Sequence, residues 1–400
     1  MTDEIADQTR RSLLRMGLVG LGAAAVGPGL LSACGSSSSG GTAEQVTTTT
    51  LEEIAGSALL SKARREGKLN LIAIPGGEGS VYRYLLDGFT AYSKIEPTLM
   101  LPSGSSSMEM QAVEDGKGKP TQPDIVDIGV SFALDAAKAG QLVAYRPGGW
   151  DDVPSTAKDV GGRWFSSYYG LVSIITNTKV ATRTPKTFAD LKELPGEGWV
   201  AMSGDPRTVG AKGLSSAEAF GTVWAAALAN GGSLDDIGPG ITYFADLAKA
   251  GIFNPKTLAI PETIASGGSV ISLMLSYEVG RARAQIKDAS AVDLNVSIPA
   301  DGLFPNFYVQ GAVSGSPNPN AAKLWLEYLL SDEGALAFMK GGAVSTRFPN
   351  MYKRGAIPKA ILDGLPDPAH LAKVEIPEQT QIAAAQSVVN ERWGQEVAGA

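Results

Sequence analysis

The chain has 400 residues, a formal net charge of −7, one histidine and one cysteine. That balance offers no basic face for nucleic acid, and a lone cysteine leaves no internal disulfide. One histidine leaves no Ser-His-Asp set, no Cys-His pair and no zinc site of the usual nitrogen and sulfur type, so neither a catalytic residue nor a cofactor is expected.

The first element is an export leader. Arg10-Arg11-Ser12-Leu13-Leu14-Arg15 precedes an uncharged stretch from Met16 to Leu31, which ends in Leu31-Ser32-Ala33-Cys34. Twin arginines before a short apolar segment read as a twin-arginine signal, and the tetrapeptide is the pattern cut before a cysteine that then carries lipid. The apolar run is about 16 residues and rich in glycine, shorter than the roughly 20 apolar residues of a spanning helix. Residues 1–33 are therefore expected to be a signal peptide, with Cys34 the lipidation site. Residues 34–55, rich in Gly, Ser and Thr at their start, read as a flexible tether holding a body outside the cytoplasm at a membrane surface.

Beyond the tether the pattern alternates. Leu69–Ile74 is a β run, closed by the loop Pro75–Ser80 and followed by apolar positions at helical spacing, Tyr82, Leu85, Leu86 and Phe89. The same sequence of strand, loop and helix returns at 98–101 with a helix from Met108, and at 124–129 with a turn at Val130-Ser131-Phe132. A second series begins at 198–202, passes the loop Ser203–Gly213 and a helix over 214–230, and continues with a helical region at 235–250, a strand at 269–275 and a helix over 276–287. Tyr168–Asn177 has the character of a strand crossing between halves, and Val309–Ser314 that of its return. Helices are expected at about 319–330 and 332–340. The fold class that follows is α/β, with two lobes, each a mainly parallel sheet flanked by helices, joined by crossing hinge strands. Lobe 1 takes 56–170 and 309–400; lobe 2 takes 171–308.

Several phrases occur in a telling order. Pro123-Asp124-Ile125-Val126-Asp127-Ile128-Gly129 leads to Ala136–Leu142, Ile298-Pro299-Ala300-Asp301-Gly302 follows the second series, and Asn318–Lys323 precedes Leu326–Gly334. Across the mature chain this resembles the extracellular solute-binding proteins of ABC importers, in the type 2 periplasmic-binding-protein fold and its iron, polyamine and phosphonate group. The resemblance implies a ligand cleft between the lobes, a small-molecule solute, a membrane permease with its ATPase as partners, a monomer and no enzymatic activity. Iron-binding members carry adjacent tyrosines just after the last strand of the second lobe; here that place reads Leu275-Ser276-Tyr277-Glu278, with one.

Candidate ligand residues follow from topology, because ligands in open α/β sheets sit at the carboxyl ends of the strands. Three Gly- and Ser-rich loops qualify, and they bring Glu78, Ser105, Ser106 and Arg207, with Ser131 at the third turn. Small residues and first-turn N–H groups suit an anion, although serines in those places also serve as plain helix caps. The opposing set is aromatic and acidic, with Tyr168, Tyr169, Tyr277, Glu278 and Tyr308, and suits a cation. The glycine-rich loops favour a small anionic or zwitterionic organic solute, such as a phosphonate or phosphate ester. A polyamine such as spermidine or putrescine is the alternative, with ferric iron and an exported enzyme behind it.

Overall fold

A computed structural model describes residues 51–397, apart from 103, 208, 211–212, 215 and 372–373. The twin arginines, Cys34 and the expected tether as far as residue 50 lie outside the described residues. Among the described residues, no helix is long and apolar enough to cross a membrane.

The described chain opens with α1 (Leu51–Glu66), β1 (Asn70–Ile72), α2 (Val81–Ser93), β2 (Thr98–Met100), α3 (Ser106–Gly116), β3 (Ile125–Ile128) and α4 (Val130–Lys138). The long β4 (Tyr168–Asn177) comes next, then β5 (Val200–Met202), α5 (Ala217–Ala229), α6 (Gly238–Lys249), β6 (Phe253–Leu258), β7 (Ile271–Leu275), α7 (Glu278–Gln285), β8 (Leu294–Ser297) and β9 (Pro305–Asn306). The last elements used below are β10 (Val309–Ala312), α8 (Pro319–Leu329), α9 (Asp332–Lys340), β11 (Val344–Ser345) and α10 (Gln379–Glu396).

Two sheets result. The first has the order β10-β3-β1-β2, with β1 parallel to β2 and β3, and β10 antiparallel to β3. The second runs β8-β4-β7-β5-β6, with β9 and β11 also on β4. Its β5 is parallel to β6 and β7, while β4 is antiparallel to β7 and β8, so this sheet is mixed where the alternating pattern predicts mainly parallel pairing. The exception is β4, which comes from the first sheet and enters antiparallel to both of its neighbours on this path. All ten β4 residues are buried, which explains why Tyr168–Asn177 shows no polar alternation.

Two further expectations are corrected. Residues 51–55, expected in the tether, are the first turn and more of α1, where Leu51 and Ala55 are buried and the Leu51 N–H donates to Glu333 at 3.1 Å. Residues 309–400 do not all return to lobe 1. Helices α8 and α9 do: the Glu66 carboxylate at the end of α1 accepts the Asn320 and Ala321 N–H groups of α8, and Phe89 of α2 meets Trp325 at 5.1 Å. But α10 lies on the second half, where Trp393 packs against Phe244 at 5.8 Å and its indole donates to the Pro206 carbonyl at 2.7 Å. A wholly buried tryptophan needs both an apolar bed and an acceptor, and α6 with the 203–207 loop supplies them.

Candidate functional site

A cavity of about 750 Å³ opens between the carboxyl ends of the two sets of strands. Its first wall is built by the loops that follow β1, β2 and β3. These loops are fixed by caps: Ser80 accepts the Tyr82 N–H at 3.2 Å to start α2, and Ser105 accepts the Met108 N–H at 3.4 Å to start α3. Ser106 reaches across to accept the Gly129 N–H at 3.1 Å, joining the second loop to the third. Serine hydroxyls at these positions therefore hold loops in place before they touch any solute.

Behind the serines stand acids. Asp127 of β3 accepts from Tyr82, from Tyr168 at 3.3 Å and from Gln310 at 2.8 Å, and Tyr82 also bonds the Tyr168 hydroxyl. Burial pushes the Asp127 carboxyl up to about 7, against the pull of those hydrogen bonds. Glu109 of α3 accepts the Asp127 N–H at 3.0 Å and is likewise pushed well above the usual carboxyl range by burial, with the Asp127 charge adding to it.

The second wall carries the other charges. Glu218, in the first turn of α5, accepts from the Ser203 hydroxyl at 2.9 Å; burial and then the nearby Glu278 charge raise its carboxyl to about 7. Glu278 at the start of α7 accepts from Arg281 Nε at 2.6 Å. Burial works against the charge of that guanidinium, but Glu278 and Glu218 outweigh it and leave its pKa raised. Tyr277 and Tyr308 complete the wall, both pushed well up, first by burial and then by neighbouring hydroxyls and carboxylates. Phe304 stacks on Trp224 at 4.9 Å beneath them.

At the rim the two walls touch. A β-carbon at Gly79, whose φ is +73°, would lie 2.2 Å from the Gly280 carbonyl oxygen, and one at Gly280 would lie 2.6 Å from that of Gly79. Only glycine on both sides permits this approach of backbone to backbone.

Of the expected ligand residues, Ser105, Ser106, Ser131, Tyr168, Tyr277, Glu278 and Tyr308 line this cavity. Three do not. Glu78 is exposed on its loop outside the lining. Arg207 is half-exposed and turned onto its own loop, bonding Asp205 at 2.8 and 2.9 Å, because a carboxylate two residues away closes a fork before the side chain can reach inward. Tyr169 alternates to the other face of β4 and lines a separate cavity of about 440 Å³ with Thr346 and Leu371. Among the described residues, no group of three or more His, Cys, Asp or Glu is placed to hold a metal ion.

The sequence profile described as bacterial extracellular solute-binding protein matches residues 96–361, well over half of the chain. The chain belongs to that family. No curated protein matches it. Among solved structures, the periplasmic binding protein AfuA of Actinobacillus pleuropneumoniae, bound to fructose-6-phosphate, is 18% identical with a TM-score of 0.60, covering 83% of this chain and 99% of its own. A putative extracellular solute-binding protein of Bordetella parapertussis is 16% identical at 0.58, covering 83% and 99%. The apo ferric ion-binding protein A of Pasteurella haemolytica is 16% identical at 0.56, covering 81% and 96%. At such identity these likenesses speak for the two-sheet fold. As an extracellular solute-binding protein, the chain is the extracytoplasmic solute-capturing component of an ABC importer and not an enzyme.

Sequence reasoning missed Tyr82, Glu109, Asp127, Glu218 and Arg281 as cleft residues of this solute-binding protein. Tyr82 passes for an apolar helix-face position and Glu218 for a favourable first-turn charge. Asp127 did carry a signal: an acid inside the run Ile125-Val126-Asp127-Ile128, whose four residues are all buried, demands partners.

Proposed function

We propose that this solute-binding protein captures a small cationic solute bearing two or more amines, of the polyamine kind, and delivers it to a membrane permease. One observation carries the reading: Glu109, Asp127, Glu218 and Glu278 line the cavity against a single guanidinium, Arg281, which is already paired with Glu278. An ammonium between the two walls meets aromatic faces and draws Asp127 and Glu218 from their raised values into the ionised form, while an anion there would have to keep them protonated. Arg207, on which an anion was expected to rest, does not line the cavity and is spent on Asp205, which does.

A second reading keeps the anion, and one observation favours it: the N-termini of α3 and α4 both face the cavity, and α4 is capped by Gly129 with no side-chain acceptor. Melting temperatures measured with spermidine, putrescine, 2-aminoethylphosphonate and fructose 6-phosphate separate the two. A saturable rise with the amines alone supports the cation; a rise with the phosphate or phosphonate alone overturns it.

The anchoring belongs to the same proposal. Cleavage before Cys34 and lipidation of its thiol would hold the protein at the outer face of the membrane as a monomer, exported by the twin-arginine route. Cys34→Ala should release the protein from the membrane fraction, and Arg10→Lys with Arg11→Lys should block export. A membrane-bound Cys34→Ala protein would contradict the anchor.

A further inference from the structure

We propose that Asp127 is a positioning residue that ties the wall of the solute cleft to the two segments joining the halves, so that charge and occupancy in the cleft change how those segments are held. Three elements converge on this side chain, which is 4% exposed. Its Oδ2 accepts from Tyr82 on α2 and from Tyr168 at the start of β4, the latter at 3.3 Å. Its Oδ1 accepts from Gln310 on β10 at 2.8 Å.

Gln310 carries the link onward. It does not line the cavity and is 1% exposed, yet its Oε1 accepts from the Ser167 hydroxyl at 2.9 Å and its backbone exchanges bonds of 3.1 and 2.8 Å with Phe165. Both strands through which the chain passes between sheets are thus fastened to one carboxylate. Tyr168 adds a second arm, stacking on Phe338 of α9 at 4.5 Å and meeting Tyr277 of the opposite wall edge-on at 5.6 Å.

A buried network of this kind has few ways to be satisfied. Ionised, Asp127 accepts from all three donors but holds a charge away from water; protonated, it sheds that charge and gives up one acceptor position, and burial outweighs the bond given up. Its other titratable and charged neighbours are Glu109 from α3, which holds its backbone N–H at 3.0 Å, and, across the cavity, Tyr277, Tyr308, Glu218, Glu278 and Arg281. Burial, opposed by the three hydrogen bonds, places the carboxyl at about 7. Because that lies above its unfolded value, the stability it lends is complete below about pH 4 and is lost as pH rises through about 7. In the solute-free protein the crossing strands should loosen over that window. Under the cation reading above, an amine in the cleft offsets the charge and restores them.

Hydrogen–deuterium exchange of the solute-free protein at pH 6 and pH 8, corrected for intrinsic rates, tests the link without any solute. Protection of 166–169 and 309–311 should fall by about threefold or more at pH 8 in wild type, and not in Asp127→Asn. Glu109 and Glu218 remain in that variant and act on the whole molecule, so the link is read as the fall in these segments beyond the fall in 324–329 of α8; an excess surviving in Asp127→Asn, or none in wild type, overturns the proposal. Gln310→Met guards against a variant that fails to fold: it should free 309–311 from the pH effect while 166–169 keep it, and both segments keeping it would equally overturn the link. Adding spermidine at pH 8 should restore protection in wild type. If spermidine does not bind while the exchange pattern holds, the cation reading fails and the role of Asp127 stands.

Discussion

The two walls of the cleft are both polar, but they use their polar groups differently. On the first wall the hydroxyls of Ser80, Ser105 and Ser106 accept backbone N–H groups and so hold α2, α3 and the β3 loop. On the second, Glu218 and Glu278 have between them one serine hydroxyl and one guanidinium, leaving negative charge in excess of what the fold consumes. Side chains spent on caps shape a site; side chains left over after the fold is satisfied select what enters it.

The sharpest break in that comparison is Glu278→Gln, which removes a carboxylate from the second wall and leaves Arg281 without its charged partner. Spermidine binding should weaken by about 1.5–3 kcal/mol, the scale of a hydrogen bond to a charged group, as read by calorimetric titration. Gly280→Ala comes next and touches no solute. Its β-carbon meets the Gly79 carbonyl, so the rim can no longer close, and the affinity loss should be about 1–3 kcal/mol with a larger radius of gyration by small-angle scattering. An unchanged radius would show that the glycine contact is not needed for closure.

The pH dependence of stability is a further test. Glu218 titrates at about 7 in the fold, above its unfolded value, so the stability it lends is present below about pH 4 and lost as pH rises through about 7. Stability should fall between pH 5 and pH 8 by about 1–2 kcal/mol from this group, read as a lower melting temperature, and Glu218→Gln should reduce the fall to the part that Asp127 leaves. Ser106→Ala should cost about 0.5–2 kcal/mol of stability as a lost anchor, with little change in affinity. Smallest of all, Arg207→Ala should leave affinity within about twofold of wild type, since surface changes of this kind are nearly neutral. A large loss there would move the solute towards the 203–207 loop and revive the anion.

How much of this was legible in the sequence differs between the fold and the site. Strand and helix positions follow from local periodicity, so the helices at 319–329 and 332–340 and the strand at 271–275 stand where their apolar spacing places them. The sense of β4 was not legible, because its residues are buried on both faces whichever way the sheet is paired. The destination of α10 was hidden as well, since a tryptophan shows that a helix is buried but not against which partner. At the site, loop topology found seven lining residues. It failed where a short-range contact wins over reach, as with Arg207 and Asp205, and where strand alternation splits a pair, as with Tyr168 and Tyr169. The buried acids escaped because a carboxylate in an apolar strand or a helix's first turn reads locally as structure.

The most direct test of the central claim is calorimetric titration of spermidine into wild type and into the double variant Glu218→Gln with Glu278→Gln. The expected result is saturable binding at one site in wild type, weakened at least about 100-fold in the double variant, as two charge-assisted contacts are lost. Equal binding by both proteins, or no heat with spermidine beside saturable heat with fructose 6-phosphate, would contradict a cleft built for a cation.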